Sequence, residues 1–416
     1  MSDTLLTVRD LHTHFRTDAG TVRAVDGISF EVQRGEVLGI VGESGAGKSV
    51  AARSIMRLID SPGVIVNGEV RFEDDLLVGV ERGDDPDGEP RQDPEMLSSR
   101  EIRERIRGRE IAMIFQDPTE SLNPVFTVSE QLSEIIGLNR DVSAAEAEAI
   151  AVERLREVGI PEAERRMDDY PHEFSGGMRQ RVLIAMAFAC EPSLVIADEP
   201  TTALDVTVEA QILDLVKDLA ARYDTSFVWV THDMGVVAEI CDRVAVMYLG
   251  ELVELADKDD LFESPKHPYT RALLSSIPVP DPRVSRETVP LSGDVPSPIH
   301  PPSGCRFHTR CPSLVAPAEL DLSDDEWDRV RRFVRAVQRE SPDAAADDAR
   351  ATYFPDDLPA GEAVERALSL AAEGAWRDAA SLLTETFVEP SVCTSEVPAL
   401  ESPDELDRIV SCHHYS

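Results

Sequence analysis

Short apolar runs separated by turns open the chain. The runs LLTV and ISFEV predict strands, and VLGIV, Val37 to Val41, predicts a short buried strand feeding a glycine-rich turn. Residues 74–95 are acidic and rich in glycine and proline, which predicts a solvated loop. Ser143 to Glu146 has the spacing of a capping box, and the helix it opens is expected to stop at Gly159. In EFSGGMRQRV, Glu173 to Val182, a Ser-Gly-Gly corner precedes a helix expected over Met178 to Ala189. From 190 to 256 the strand-like runs SLVIAD, SFVWV and RVAVMYL alternate with a helix through Val208 to Tyr223, the signature of a parallel α/β sheet. Past 277 the chain is proline-rich up to Cys305. Residues 313–390 are acidic with two helical stretches, the first placing Trp327, Val330, Val334 and Val337 on one face. No internal repeat is present.

Composition narrows the function class. A chain of 416 residues has room for two or three domains, and 42% hydrophobic residues suffice to pack their cores, against an acidic disordered protein. The net charge of −38 argues against nucleic acid, which requires a basic face, and against docking on anionic lipid. Lysine occurs only at 48, 217, 258 and 266, so arginine supplies 37 of the 41 basic residues. Such a surface suits a protein hydrated in a very salty cytoplasm, the expectation for a halophile. The first ten residues have no signal-peptide pattern, and no apolar run approaches the ~18 residues of a membrane span. A cytosolic chain with six cysteines favours metal ligation or buried thiols over disulfides.

The chemistry lies in a few motifs. GESGAGKS, Gly42 to Ser49, matches the phosphate-binding loop between a strand and a helix. Gly42, Gly45 and Gly47 let backbone N–H groups turn around phosphate oxygens at a helix N-terminus. Lys48 is expected on the β/γ-phosphates and Ser49 on Mg²⁺. LVIADEP ends an apolar strand in two carboxylates: Asp198, placed to hold Mg²⁺, and Glu199, placed to orient or deprotonate the attacking water. Gln116, in IFQDP, follows another apolar strand and is a further candidate at the Mg²⁺ and the water; His232, in VWVTHD, suits contact with a γ-phosphate.

The order glycine-rich loop, Gln116, Ser-Gly-Gly, Asp198-Glu199, His232 resembles the ATP-binding-cassette (ABC) ATPases. The resemblance implies that Ser175 and Gly177 close over ATP held by a partner subunit, so that hydrolysis requires a head-to-tail pair of cassettes. It also implies that Phe15 stacks on adenine and that Ala203 to Asp205 lie at the dimer interface. The stretches IAMIFQDPTESLNPVFTV, FSGGMRQRVLIAMAFACEPSLVIADEPTTALD and HPYTRALLSSIP are similar to the oligopeptide/dipeptide importer ATPases over residues 4–311 and again from about 387. That resemblance implies a second, different cassette ATPase (a heterodimer), two membrane permease subunits and an external solute-binding protein. Two acidic additions, at about 78–95 and after Cys311, depart from the family pattern.

Cys305 and Cys311 stand six apart, with Cys393 and Cys412 beyond the insert. Four thiolates satisfy a [4Fe–4S] cluster or a tetrahedral Zn²⁺, and spacing does not choose between these and unligated thiols. The resemblance implies the cluster. Cys190 and Cys241 read as core, and His413 and His414 as a polar tail.

The expected fold is α/β: a P-loop, RecA-like cassette over 1–262 with a helical subdomain at about 117–180, then an extension over 263–312. An acidic helical insert over 313–390 and a cysteine segment over 391–416 follow. The expected function is ATP hydrolysis driving import of di- or oligopeptides at the cytoplasmic face of the membrane. The alternatives are a nickel or sugar importer of the same family and, from another class, a soluble cassette ATPase of translation or DNA repair.

Overall fold

The structure is a computed structural model, described here for residues 3–83, 90–117, 121–202, 204–276, 291, 293–320, 322–345, 348–355, 361–403 and 408–415. It divides into two units, residues 1–264 and 265–416.

In the first unit, two long strands, β1 (Thr4–Thr17) and β2 (Gly20–Gln33), pair antiparallel. With β4 (Gly63–Phe72), β5 (Asp75–Glu81) and β6 (Arg91–Gln92) they form a sheet in the order β2-β1-β4-β5-β6. The loop expected over 74–95 is therefore corrected. Leu76, Leu77, Val78 and Val80 are buried in β5, because apolar pairing with β4 outweighs the acidic, glycine-rich surroundings. Residues 84–89 of that stretch lie outside the described residues.

The second sheet carries the site. Six strands run in the order β11 (Glu251–Asp257), β10 (Arg243–Tyr248), β3 (Val37–Val41), β9 (Ser226–Thr231), β8 (Leu194–Asp198) and β7 (Ile111–Ile114). Strands β10, β3, β9, β8 and β7 are parallel, and their near-continuous Val, Ile and Ala runs are buried. Parallel strands deliver the residues after their C-terminal ends to one edge of the sheet, the edge where α/β folds bind ligands. Gly42, Gln116, Asp198 and His232 all lie at or just beyond such ends.

Helix α1 (Lys48–Ile55) follows β3 after the loop Gly42–Gly47 and has no side-chain cap, whereas side chains satisfy the first N–H groups of several later helices. Capping boxes start α2 (Val128–Asn139) at Thr127 and α3 (Ala144–Glu157) at Ser143. Gly159, with φ +76°, ends the latter as expected. Helix α4 (Gly176–Ala187) starts two residues earlier than the sequence predicts, because Ser175 is its N-cap, its hydroxyl accepting from Met178 N–H at 3.3 Å. Asp205 caps α5 (Val206–Tyr223); Ala203 lies outside the described residues.

In the second unit, His267 caps α6 (Pro268–Ser275). Helix α7 (Asp324–Gln338) buries Trp327, Val330, Val334 and Val337 as the periodicity predicts. They pack with Leu314, α8 (Gly361–Ala372), α9 (Trp376–Leu383), Phe387 and Cys393 in one apolar cluster. Trp327 Nε1 donates to the Leu314 carbonyl at 2.7 Å, so the largest ring buries its polar atom satisfied.

Candidate functional site

The glycine-rich loop is shaped by what surrounds it. A Cβ at Gly42 would lie 2.2 Å from the Met247 carbonyl oxygen, and one at Gly47 would lie 2.0 Å from that of Ala24. Gly47 also has φ +103° at the N-cap of α1, a conformation other residues rarely adopt. The loop is thus pressed against a neighbouring backbone at Gly42 and at Gly47, while a Cβ at Gly45 would meet open space.

Lys48 is buried, its ammonium donating to the carbonyls of Gly42 at 2.9 Å and Glu43 at 3.2 Å. Burial lowers its pKa, while the charges of Glu199 and Asp198 act the other way. Ser49 Oγ donates to Asp198 Oδ1 at 2.8 Å. Asp198 is fully buried, and among the described residues its Oδ2 has no hydrogen-bond partner. Burial raises its pKa, opposed by the Ser49 hydrogen bond and the charge of Arg53, whose guanidinium stands 3.8 Å from Oδ2. A buried carboxylate with one oxygen bonded to a hydroxyl and the other without a hydrogen bond is a donor set suited to a hard divalent cation.

Glu199 is the hub. Gln116 Nε2 donates to its Oε2 at 3.0 Å, Thr202 Oγ1 donates to the same oxygen at 3.1 Å, and His232 Nδ1 lies 3.2 Å from Oε1. Lys48 Nζ is 3.9 Å from Oε1. The backbone of Glu199 is left-handed at φ +48°, a strained setting for a non-glycine residue, and its N–H is tied to the Val230 carbonyl of β9 at 2.9 Å. Such a carboxylate, fixed by three polar side chains on the sheet edge beside Lys48, can orient a water toward a phosphate.

The structure thus gathers Gly42, Gly47, Lys48, Ser49, Gln116, Asp198, Glu199 and His232. It does not bring the Ser175 corner there: Ser175 is exposed, and among the described residues no hydrogen bond joins it to the loop. Phe15 is half-buried, its ring so close to Gly63 that an added Cβ would lie 2.7 Å from it. Thr202 and Arg53 escaped the sequence reading; their one signal is proximity in sequence to Glu199 and Ser49.

The four C-terminal cysteines belong to the second unit. Cys305 N–H donates to the Cys393 carbonyl at 2.9 Å. The Cys311 thiol is pushed up by burial, and the charges of Cys305, Cys393 and Cys412 add to that. None of the six cysteines is disulfide-bonded. Cys241 is buried, as expected, and burial pushes its thiol up to about 12, whereas Cys190 is half-buried. His413 and His414 bond to the carbonyls of Glu396 and Ser313.

The ABC transporter family model matches residues 25–202, and the model of the oligopeptide/dipeptide transporter C-terminal region matches residues 253–316. A domain of unknown function matches residues 319–406. The chain is 52% identical over 317 residues to a probable peptide ABC transporter ATP-binding protein of Sinorhizobium fredii, covering 76% of this chain and 89% of that one. It is 47% identical over 313 residues to the oligopeptide transport ATP-binding protein AppD of Bacillus subtilis, covering 75% and 90%. It is 45% identical over 344 residues to the dipeptide transport ATP-binding protein DppD of Bacillus subtilis, covering 80% and 97%. The solved dimeric structure of the cassette MJ0796 in a post-hydrolysis state with ADP and Pi aligns with TM-score 0.51 at 26% identity, covering 61% of this chain and 99% of that one.

Proposed function

The chain belongs to the ABC transporter ATPases of the oligopeptide/dipeptide importer type, and from that premise we propose how its residues divide the work. It is the ATP-hydrolysing subunit of an ABC importer for peptides. The observation that carries the division of roles is the Glu199 hub at the edge of the parallel sheet. Backbone N–H groups of the Gly42–Ser49 loop hold phosphate oxygens, and Lys48 neutralises them. Ser49 and Asp198, with Gln116, hold Mg²⁺, for which the unpartnered Asp198 Oδ2 is a fitting ligand. A Mg²⁺ held there would supply positive charge to offset the negative charge of the phosphates during transfer. Glu199 takes or orients the proton of the attacking water, while His232 and Gln116 hold the carboxylate in line. Phe15 stacks on the adenine.

Ser175 and Gly177 serve the partner's ATP. Their place at an exposed helix N-terminus, unconnected to their own loop, supports this, as does the dimeric state of the MJ0796 cassette. The partner is a second, different cassette, and the pair sits on two permease subunits at the cytoplasmic face, fed by an external binding protein. Among the described residues no helix is long and apolar enough to cross a membrane.

The four cysteines are read as ligands of a structural [4Fe–4S] cluster. The electrostatic effect of Cys305, Cys393 and Cys412 on the buried Cys311 thiol supports one shared centre, and four thiolates satisfy either a cluster or tetrahedral zinc. The acidic, lysine-poor surface is read as a halophile's.

The test is reconstitution of the full transporter in vesicles. ATP-dependent uptake of labelled di- and oligopeptides that ceases with Glu199→Gln in this subunit and its partner's equivalent change is the expected result. Uptake of nickel or sugars but not peptides, or uptake indifferent to Glu199, would overturn it.

A further inference from the structure

On the sheet that holds β1 and β2, away from the Glu199 hub, three side chains converge. His12 and His14 lie two apart on β1 and so share a face, and the register sets His12 opposite Asp26 of β2. His12 Nδ1 lies 2.9 Å and His14 Nε2 lies 3.0 Å from the same oxygen, Asp26 Oδ1. All three atoms fall within 4.8 Å of one another. A tetrahedral Zn²⁺ with bonds of about 2.0–2.1 Å to nitrogen and oxygen has ligand–ligand edges of about 3.3 Å. Two of the three edges, at 2.9 and 3.0 Å, are close to that length, and the third lies within 4.8 Å.

The surroundings match a metal site in a second, independent way. His12 Nε2 lies 2.9 Å from Asp10 Oδ1. A carboxylate on the far ring nitrogen is the outer arrangement that metal-binding histidines use; with no ion present Nδ1 donates to Asp26, and a bound cation would take the place of that proton. The two rings meet at 79° rather than stacking, with centroids 6.1 Å apart. Arg23 approaches the other oxygen of Asp26, at 3.8 Å from Oδ2. The side chains of His14 and Asp26 are 8% and 10% exposed and that of His12 is 19% exposed, so the site is sheltered but open on the His12 side, where water can complete the coordination.

We propose that His12, His14 and Asp26 form a structural site for a borderline divalent cation, Zn²⁺ in the first instance. Two imidazole nitrogens among three protein ligands select zinc or its neighbours over Mg²⁺, so the Mg²⁺ that accompanies ATP does not compete for it. The ion would stiffen the strand that backs the nucleotide loop. Asp26 N–H donates to the Gly250 carbonyl at 2.8 Å, and two residues earlier the Ala24 carbonyl presses on Gly47.

Chelator-treated full-length protein, titrated with Zn²⁺ by calorimetry, should bind one equivalent more than the His12→Gln, His14→Gln double variant, whose amides still hydrogen-bond to Asp26. Asp10→Asn should weaken that equivalent by about 10–100-fold without abolishing it. Retained Mg-ATP binding reports that the variants are folded. Crystals of wild-type protein soaked in Zn²⁺ should show anomalous density at the zinc edge between His12 Nδ1, His14 Nε2 and Asp26. Equal zinc stoichiometry in wild type and double variant, or no anomalous density there, would reduce the cluster to a hydrogen-bonded network and overturn the proposal. Because the readouts are stoichiometry and density, this outcome is separate from any failure of the importer reading.

Discussion

Nδ1 of His232 stands 3.2 Å from Oε1 of Glu199, joining the residue just after β9 to the one just after β8 across the sheet edge. Glu199 is at once strained in its backbone and held by three side chains, so its position is fixed before any nucleotide arrives. Replacing it with Gln keeps the shape and removes the base. Hydrolysis is expected to fall by ~10²-fold or more, with ATP still bound and the ATP-bound dimer long-lived. Single-turnover hydrolysis and gel filtration with ATP check both halves. Full turnover by this variant, with its partner's equivalent carboxylate also removed, would refute the role.

Asp198 illustrates a conflict between stability and function. Its carboxylate is fully buried, and among the described residues Oδ2 has no hydrogen bond and the Arg53 guanidinium, 3.8 Å away, to offset its charge, which is costly without a cation. Asp198→Asn is expected to raise the nucleotide-free melting point, by the equivalent of about 1 kcal/mol, while abolishing further stabilisation by Mg-ATP. Differential scanning calorimetry with and without Mg-ATP reads both signs at once.

The proposed role of Lys48 is to act by charge on the phosphates. Lys48→Ala should weaken ATP binding itself, measured by a fluorescent ATP analogue, in contrast to Glu199→Gln, which leaves binding intact. An unchanged affinity would detach Lys48 from the phosphates.

In the second unit, His267 is wholly buried, and its Nδ1 accepts from Tyr269 N–H at 3.1 Å, capping α6. Burial pushes its pKa down to about 3 from 6.5, with the charges of Arg271 and His414 adding to the effect. Between these values the unfolded chain holds a proton that the folded one does not, so stability rises with pH there. The contribution is complete above about pH 6.5 and is lost as pH falls toward 3, up to about 5 kcal/mol in all. His267→Asn keeps the cap and removes the titration, so its urea midpoint should fall less than that of wild type between pH 7.5 and 5. Parallel declines would exclude His267 as the cause.

Salt and iron test the remaining readings. With a net charge of −38, carboxylate repulsion is relieved when molar salt shortens the Debye length to ~3 Å. The melting temperature should therefore climb steeply from low salt to molar KCl, and a salt-independent value would contradict the halophile reading.

Protein purified without oxygen should be brown, with about four irons per chain, and Cys393→Ser should remove them while ATP still binds. Stoichiometric zinc without iron would favour the tetrahedral alternative.

The sequence by itself determined whatever depends on local order. The loop Gly42 to Ser49, the strand Val37–Val41, the capping box at Ser143 and the apolar face of Trp327, Val330, Val334 and Val337 are each written in adjacent or helically spaced residues, and each appears in the structure. The motif order identified the cassette, because each motif follows a strand whose apolar run is visible. Tertiary structure decided what depends on which strands are neighbours. Strand β5 escaped detection because its charged and glycine-rich flanks look like a loop until β4 pairs with it. Setting β8 between β9 and β7 is what brings Gln116 and His232 to Glu199 across more than eighty and thirty residues of chain, and what strands Asp198 Oδ2 without a partner. The meeting of His12 and His14 with Asp26 depends likewise on the β1–β2 register, since alternation places side chains on a face but only pairing chooses what they face.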